Sequence, residues 1–125
     1  MALRVIFLVQ FGIAVLFGLM FFLIPKKAMT SFVGEAPDDR FALLTQIYGA
    51  SNFMYAVAAW FAAFMPDSAG RRGIAIAFAV SLGAGVFVFV PGIIRKTLTA
   101  VGWLPTVLQT VFTVLYIYFA VTMVV

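Results

Sequence analysis

The side chains best suited to chemistry in this sequence are amides, hydroxyls and phenols inside long apolar segments. At about 100° per residue, one side of a helix carries Thr45, Tyr48, Asn52 and Tyr55, and one side of another carries Thr106, Gln109, Thr110, Thr113 and Tyr116. A bare amide in hydrocarbon is costly and needs a partner in protein or water. The expected result is an interhelical polar network or a narrow polar path. Its members are Gln10, Thr45, Gln46, Tyr48, Asn52, Tyr55, Gln109, Thr113 and Tyr116.

Other kinds of chemistry are disfavoured by the residues that the sequence lacks. It has no Cys and no His, which excludes disulfides, zinc thiolates, His-ligated haem and nucleophiles activated by His. No charged residue lies deep in an apolar segment, where proton-coupled transporters usually keep one. The sequence predicts a protein that is not an enzyme and has no metal or cofactor. A lipid, quinone or pigment held between its 15 Phe residues stays an alternative.

Four apolar segments must position these side chains, and they lie at residues 3–24, 41–64, 73–90 and 104–125. A helix of about 20 residues crosses a hydrocarbon core of about 30 Å. Hydrophobic residues make up 66% of the chain and charged residues 10%, a composition foreign to water-soluble domains. The sequence therefore predicts an all-α, four-helix transmembrane bundle, with residues 1–125 forming a single transmembrane domain.

The third segment carries two stripes of small residues. One is formed by Gly73, Ala77, Ser81 and Gly85, and the other, on roughly the opposite side, by Ala75, Ala79 and Gly83. Small residues four apart let transmembrane helices approach closely. Two such stripes predict contacts on both sides of this helix, with neighbours inside the bundle or with a partner subunit.

Charged and aromatic residues at the segment ends predict how the chain sits in the membrane. The expected interfacial anchors are Trp60, Trp103, Lys26, Lys27, Arg71, Arg72, Arg95 and Lys96. The net charge of +4 lies at these ends, which suits lipid headgroups and not nucleic acid. The positive-inside rule places the first and third loops in the cytoplasm of a bacterial cell.

The loops carry their own local signals. Pro25 is expected to close the first span, and Asp38 to cap the second helix. Residues 92–103 predict either a short amphipathic segment on the membrane surface or an irregular loop.

Two stretches resemble small bacterial four-helix membrane proteins of the DoxX-like type and related uncharacterised groups. They are FFLIP at Phe21–Pro25 and LLTQIYGASNFMYAVAAW at Leu43–Trp60. Some members of those groups are subunits of larger membrane assemblies, so the resemblance implies an accessory role and transfers no functional residue.

Together these features favour a non-catalytic membrane protein whose partners are lipids and other transmembrane subunits or its own copies. The alternatives are a small homo-oligomeric channel or carrier lined by the second and fourth spans, and a bundle that binds lipid, quinone or pigment.

Overall fold

A computed structural model describes all 125 residues, which form helices and no strand. The helices are α1 (Ala2–Leu23), α2 (Pro25–Val33), α3 (Asp39–Phe64), α4 (Ala69–Ile94) and α5 (Trp103–Thr122), with a single 3₁₀ turn at Ala100–Gly102. Helices α1, α3 and α4, and the stretch Ala100–Thr122, are long and apolar enough to cross a membrane. The predicted all-α class with four spans is confirmed, and the chain is an integral membrane protein.

The helices form two compact units, an N-terminal unit of Met1–Ala63 and a C-terminal unit of Phe64–Val125. A single domain over residues 1–125 stays a prediction. In the N-terminal unit, the buried residues of α1 recur at steps of three or four, at Leu3, Phe7, Gln10, Ala14, Gly18 and Phe21. This spacing is typical of helices that pack at a shallow angle.

Helices α1 and α3 touch through their backbones at two glycines. A Cβ atom added to Gly49 would lie 2.7 Å from the backbone nitrogen of Phe22 and 3.0 Å from the carbonyl oxygen of Gly18. Aromatic rings surround the contact, with Phe21 5.3 Å from Tyr48 and Phe22 6.0 Å from Phe53. The absence of side chains at this point is what allows the two backbones to meet.

The first loop contains a helix that the sequence analysis did not predict. Pro25 was expected only to end the first span, but it also begins α2, because proline suits the first turn of a helix, where its missing N–H is not needed. Phe32 on α2 is buried, and its ring centroid lies 5.8 Å from that of Phe21. As predicted, Asp38 caps α3, and its Oδ1 accepts a hydrogen bond of 2.8 Å from the Phe41 amide.

In the C-terminal unit, α4 and α5 form a hairpin. The ring of Phe78 on α4 lies 5.5 Å from that of the fully buried Tyr116 on α5. Helix α4 continues four residues beyond the predicted end at Val90, through Pro91, because a proline near the last turn removes only one hydrogen bond. Residues 95–99 make a turn before the 3₁₀ turn, so of the two structures predicted for this loop, the irregular one is observed.

Candidate functional site

The polar side chains of α3 mostly bond to backbone carbonyls. Thr45 Oγ1 donates to the Phe41 carbonyl at 2.9 Å, and Asn52 Nδ2 donates to the Tyr48 carbonyl at 3.0 Å. A group that bonds one turn back on its own helix needs no neighbour to be stable in lipid. Gln46 differs, because its Nε2 reaches across to the Phe22 carbonyl of α1 at 3.2 Å. This bond joins two helices, as the predicted network requires.

The other predicted polar residues of the N-terminal unit lie in different environments. Gln10 is buried on the face of α1 that carries the core. Tyr48 is 49% exposed, although it was expected to point into a polar interior. Tyr55 is half-buried. Tyr48 therefore lies at the surface of the N-terminal unit, whereas Gln10 belongs to its core.

The polar face of α5 lies against small residues of α4. A Cβ atom added to Gly85 would lie 2.7 Å from Gln109 Oε1, so the amide rests directly on the glycine. A Cβ atom on Gly83 would lie 3.4 Å from the methyl group of Thr113. Gln109 Oε1 and Thr113 Oγ1 are buried, and neither has a hydrogen-bond partner within the chain. The neighbouring hydroxyls of Thr106 and Thr110 bond to the carbonyls of Gly102 and Thr106, each at 2.8 Å.

Replacing Gln109 with leucine is expected to stabilise the isolated protein. A buried polar atom without a partner costs about 1–3 kcal/mol, and leucine fills a similar volume without that penalty. Thermal unfolding in detergent should show a raised midpoint. The matched control is Gln46→Leu, which should lower the midpoint because it removes a bond between helices. A lowered midpoint for Gln109→Leu would show that its amide has a partner inside the protein.

The first small-residue stripe does not stay on one face of α4. Gly73 and Ala77 are exposed, whereas Ser81 and Gly85 are half-buried and Gly85 contacts α5. Residues four apart are displaced by about 40° around a helix, so twelve residues turn the stripe by about 120°. In the second stripe, Ala75 and Ala79 are buried. Helix α4 therefore has a buried face of small residues, which includes Ala75 and Ala79, and an open small face. The open small face is short and consists of Gly73 and Ala77.

The predicted interfacial anchors also separate into groups. Trp60 and Trp103 are each 45% exposed, and Lys27, Arg95 and Lys96 are exposed. Lys26 is exposed too, but it pairs with Asp39 at 2.5 Å. Arg71 is only 7% exposed and donates to Asp67 at 2.8 Å, while Arg72 donates to the Met123 carbonyl. Arg71 and Arg72 therefore form bonds within the C-terminal unit, a role that the count of charges at the span ends does not predict.

The structure brings together no group of three or more His, Cys, Asp or Glu side chains. The backbone contact between α1 and α3, at Gly18 and Gly49, was absent from the sequence predictions. A signal for it existed, because Ala14 and Gly18 have small-xxx-small spacing on the buried face of α1. No known family model matches this chain, and no curated protein or solved structure shows significant similarity to it.

Proposed function

We propose that this protein is a non-catalytic integral membrane protein that works by assembling with other transmembrane helices. It is an accessory subunit of a larger complex or an oligomer of its own copies. The observation that carries this proposal is the open small face of α4. Gly73 and Ala77 are exposed, and a Cβ atom added to Gly73 would meet nothing within 4 Å.

The shape of that face suits a second helix. Ile76 and Val80 stand beside it and are 48% and 67% exposed. Small residues between bulky ones make a shallow groove along a helix. In lipid, burial away from water supplies no driving force for helix association, so association depends on close packing. A groove of this shape allows such packing. The resemblance to small membrane proteins that join larger assemblies agrees with this proposal.

Cross-linking in native membranes tests the proposed face. The chain has no cysteine, so Ala77→Cys introduces a single thiol. If the protein forms oligomers through this face, a short bis-maleimide should yield a cross-linked dimer. Ile117→Cys is the matched control, because Ile117 is 51% exposed and follows Tyr116, which contacts Phe78 at a similar depth. We expect a clearly higher dimer yield for Ala77→Cys.

If the partner is a different protein and not a second copy of this chain, a second measurement is needed. Gentle extraction followed by mass spectrometry identifies the proteins that co-purify with the wild type, with Ala77→Leu and with Ile117→Leu. Ala77→Leu should lose the specific partner, because leucine fills the groove, whereas Ile117→Leu should keep it. Equal cross-linking at both positions, together with unchanged co-purification, would refute assembly through α4.

A small channel or carrier is the second candidate, and the buried polar atoms of Gln109 and Thr113 favour it. The Thr113 hydroxyl can donate to an uncharged or anionic solute, and Gln109 Oε1 can accept from an uncharged solute that carries a donor. Proteoliposomes that hold the wild type should then show solute flux, and Gln109→Leu should abolish it. Absence of flux in the wild type would exclude this candidate.

We also propose that the protein resides in a bacterial cytoplasmic membrane with both termini outside. On one side of the membrane, the segment between α1 and α3, the first turn of α3 and the loop between α4 and α5 carry Lys26, Lys27, Arg40, Arg95 and Lys96. The other side has three basic residues. The positive-inside rule assigns the more basic side to the cytoplasm. Labelling of single cysteines from outside the cell tests this orientation.

A further inference from the structure

The groove where α1 ends has the features of a lipid-binding site. It has a volume of about 470 Å³ and lies entirely within the N-terminal unit. Its lining includes two ammonium groups, one carboxylate, one amide and an apolar wall, supplied by Lys26, Lys27, Asp39, Gln46, Ile24 and Leu43. The proposed assembly face lies on α4, so this site does not depend on the proposed function.

Helix α2 fixes the position of the two lysines. The Ala28 amide donates to the Ile24 carbonyl at 2.9 Å, and Thr30 Oγ1 donates to the Lys26 carbonyl at 2.7 Å. The buried Phe32 holds the far end of α2 against Phe21 of α1. The lysines therefore extend from an ordered helical turn directly after a membrane span, at the level where lipid headgroups lie.

The charges of the groove match a phosphodiester. Asp39 pairs with Lys26 at 2.5 Å, whereas Lys27 is exposed and has no carboxylate partner. Two ammonium groups and one carboxylate leave a net single positive charge, equal and opposite to one phosphodiester. A lysine ammonium binds phosphate as a point charge.

The apolar side of the groove matches an acyl chain. Ile24 is 47% exposed and Leu43 is 58% exposed, and both lie beside the lysines. A ligand that satisfies both sides of the groove must join a phosphate to a hydrocarbon tail. We infer that the groove of Ile24, Lys26, Lys27, Asp39 and Leu43 binds one phospholipid, with its phosphate on Lys27 and an acyl chain along Ile24 and Leu43.

Lipid titration followed by native mass spectrometry tests this site on the full chain. The probes are dioleoyl phosphatidylglycerol, dioleoylglycerol without phosphate, and inorganic phosphate. Only the phospholipid should bind at a defined stoichiometry. Lys27→Ala should weaken its binding about fivefold, because one lysine near a headgroup contributes that much to affinity. Asp39→Asn should strengthen binding by a similar factor, because it frees Lys26 and removes a negative charge.

Charge-matched variants outside the groove provide the controls. Glu35→Gln changes the net charge as Asp39→Asn does, and Arg95→Ala changes it as Lys27→Ala does, yet neither residue lines the groove. Both controls should bind the phospholipid as the wild type does, and circular dichroism should show equal helix content in all variants. Equal weakening by Lys27→Ala and Arg95→Ala would overturn the proposal, as would unchanged binding in Asp39→Asn. Binding of inorganic phosphate or dioleoylglycerol as tight as that of the phospholipid would also overturn it.

Discussion

Replacing Gly49 with leucine is expected to force α1 and α3 apart and to cause a large loss of stability in the N-terminal unit. Even the Cβ atom of alanine would lie 2.7 Å from the Phe22 nitrogen and 3.0 Å from the Gly18 oxygen. Both are backbone atoms, so relief requires movement of a whole helix. Overpacking of this kind costs about 1–3 kcal/mol for a small addition, and we expect leucine to exceed that range.

Alanine substitutions at three glycines separate this packing effect from the general effect of replacing a helical glycine. The free energy of unfolding in mixed micelles is the measurement. Gly49→Ala should lose stability, and Gly18→Ala should lose less, because its Cβ would meet Phe53 Cε1 at 3.0 Å and the Gly49 carbonyl oxygen at 3.2 Å, whereas the Cβ at Gly49 would lie 2.7 Å from a backbone atom. Gly12→Ala is the control, with nothing within 4 Å, and should be neutral or gain about 0.5–1 kcal/mol from helix propensity. Equal stability of Gly49→Ala and Gly12→Ala would refute the close contact.

Tyr116→Ala is expected to have the largest effect of any truncation in the C-terminal unit. Tyr116 is fully buried, and its ring lies 5.5 Å from that of Phe78 and 6.0 Å from that of Phe112. Truncating a buried aromatic residue costs about 3–5 kcal/mol in soluble proteins. In soluble proteins this cost has two parts, the loss of transfer energy from water and the cavity that is left behind. In lipid only the cavity part remains, so we expect the free energy of unfolding to fall by about 3 kcal/mol, the low end of the range.

The control for Tyr116 lies two residues along the same helix. Tyr118 is 59% exposed, although its ring lies 5.2 Å from that of Phe119. Tyr118→Ala should lose far less stability in the same unfolding measurement. A Tyr116→Phe variant shows whether the ring or the hydroxyl matters, and we expect the ring to carry most of the effect. Similar losses for Tyr116→Ala and Tyr118→Ala would contradict the packing described here.

Local signals in the sequence predicted those features that depend on neighbours in the chain. The length and hydropathy of the four segments predicted the spans, because a helix in lipid satisfies its backbone without help from distant residues. Asp38 was predicted as a helix cap, since a cap needs only the next three residues. Pro25 was misread for a related reason, because proline both ends one helix and begins another.

Contacts between helices could not be predicted from spacing along one helix. The stripe from Gly73 to Gly85 looked continuous, but its rotation leaves Gly73 open and turns Gly85 towards Gln109. Gly49 showed nothing unusual until its partner on α1 was known. The sequence alone was enough to predict the membrane environment and the all-α class, and it offers no histidine or cysteine for catalysis. Which small residues meet became clear from the packed helices, because a contact is a property of two surfaces and each helix encodes one.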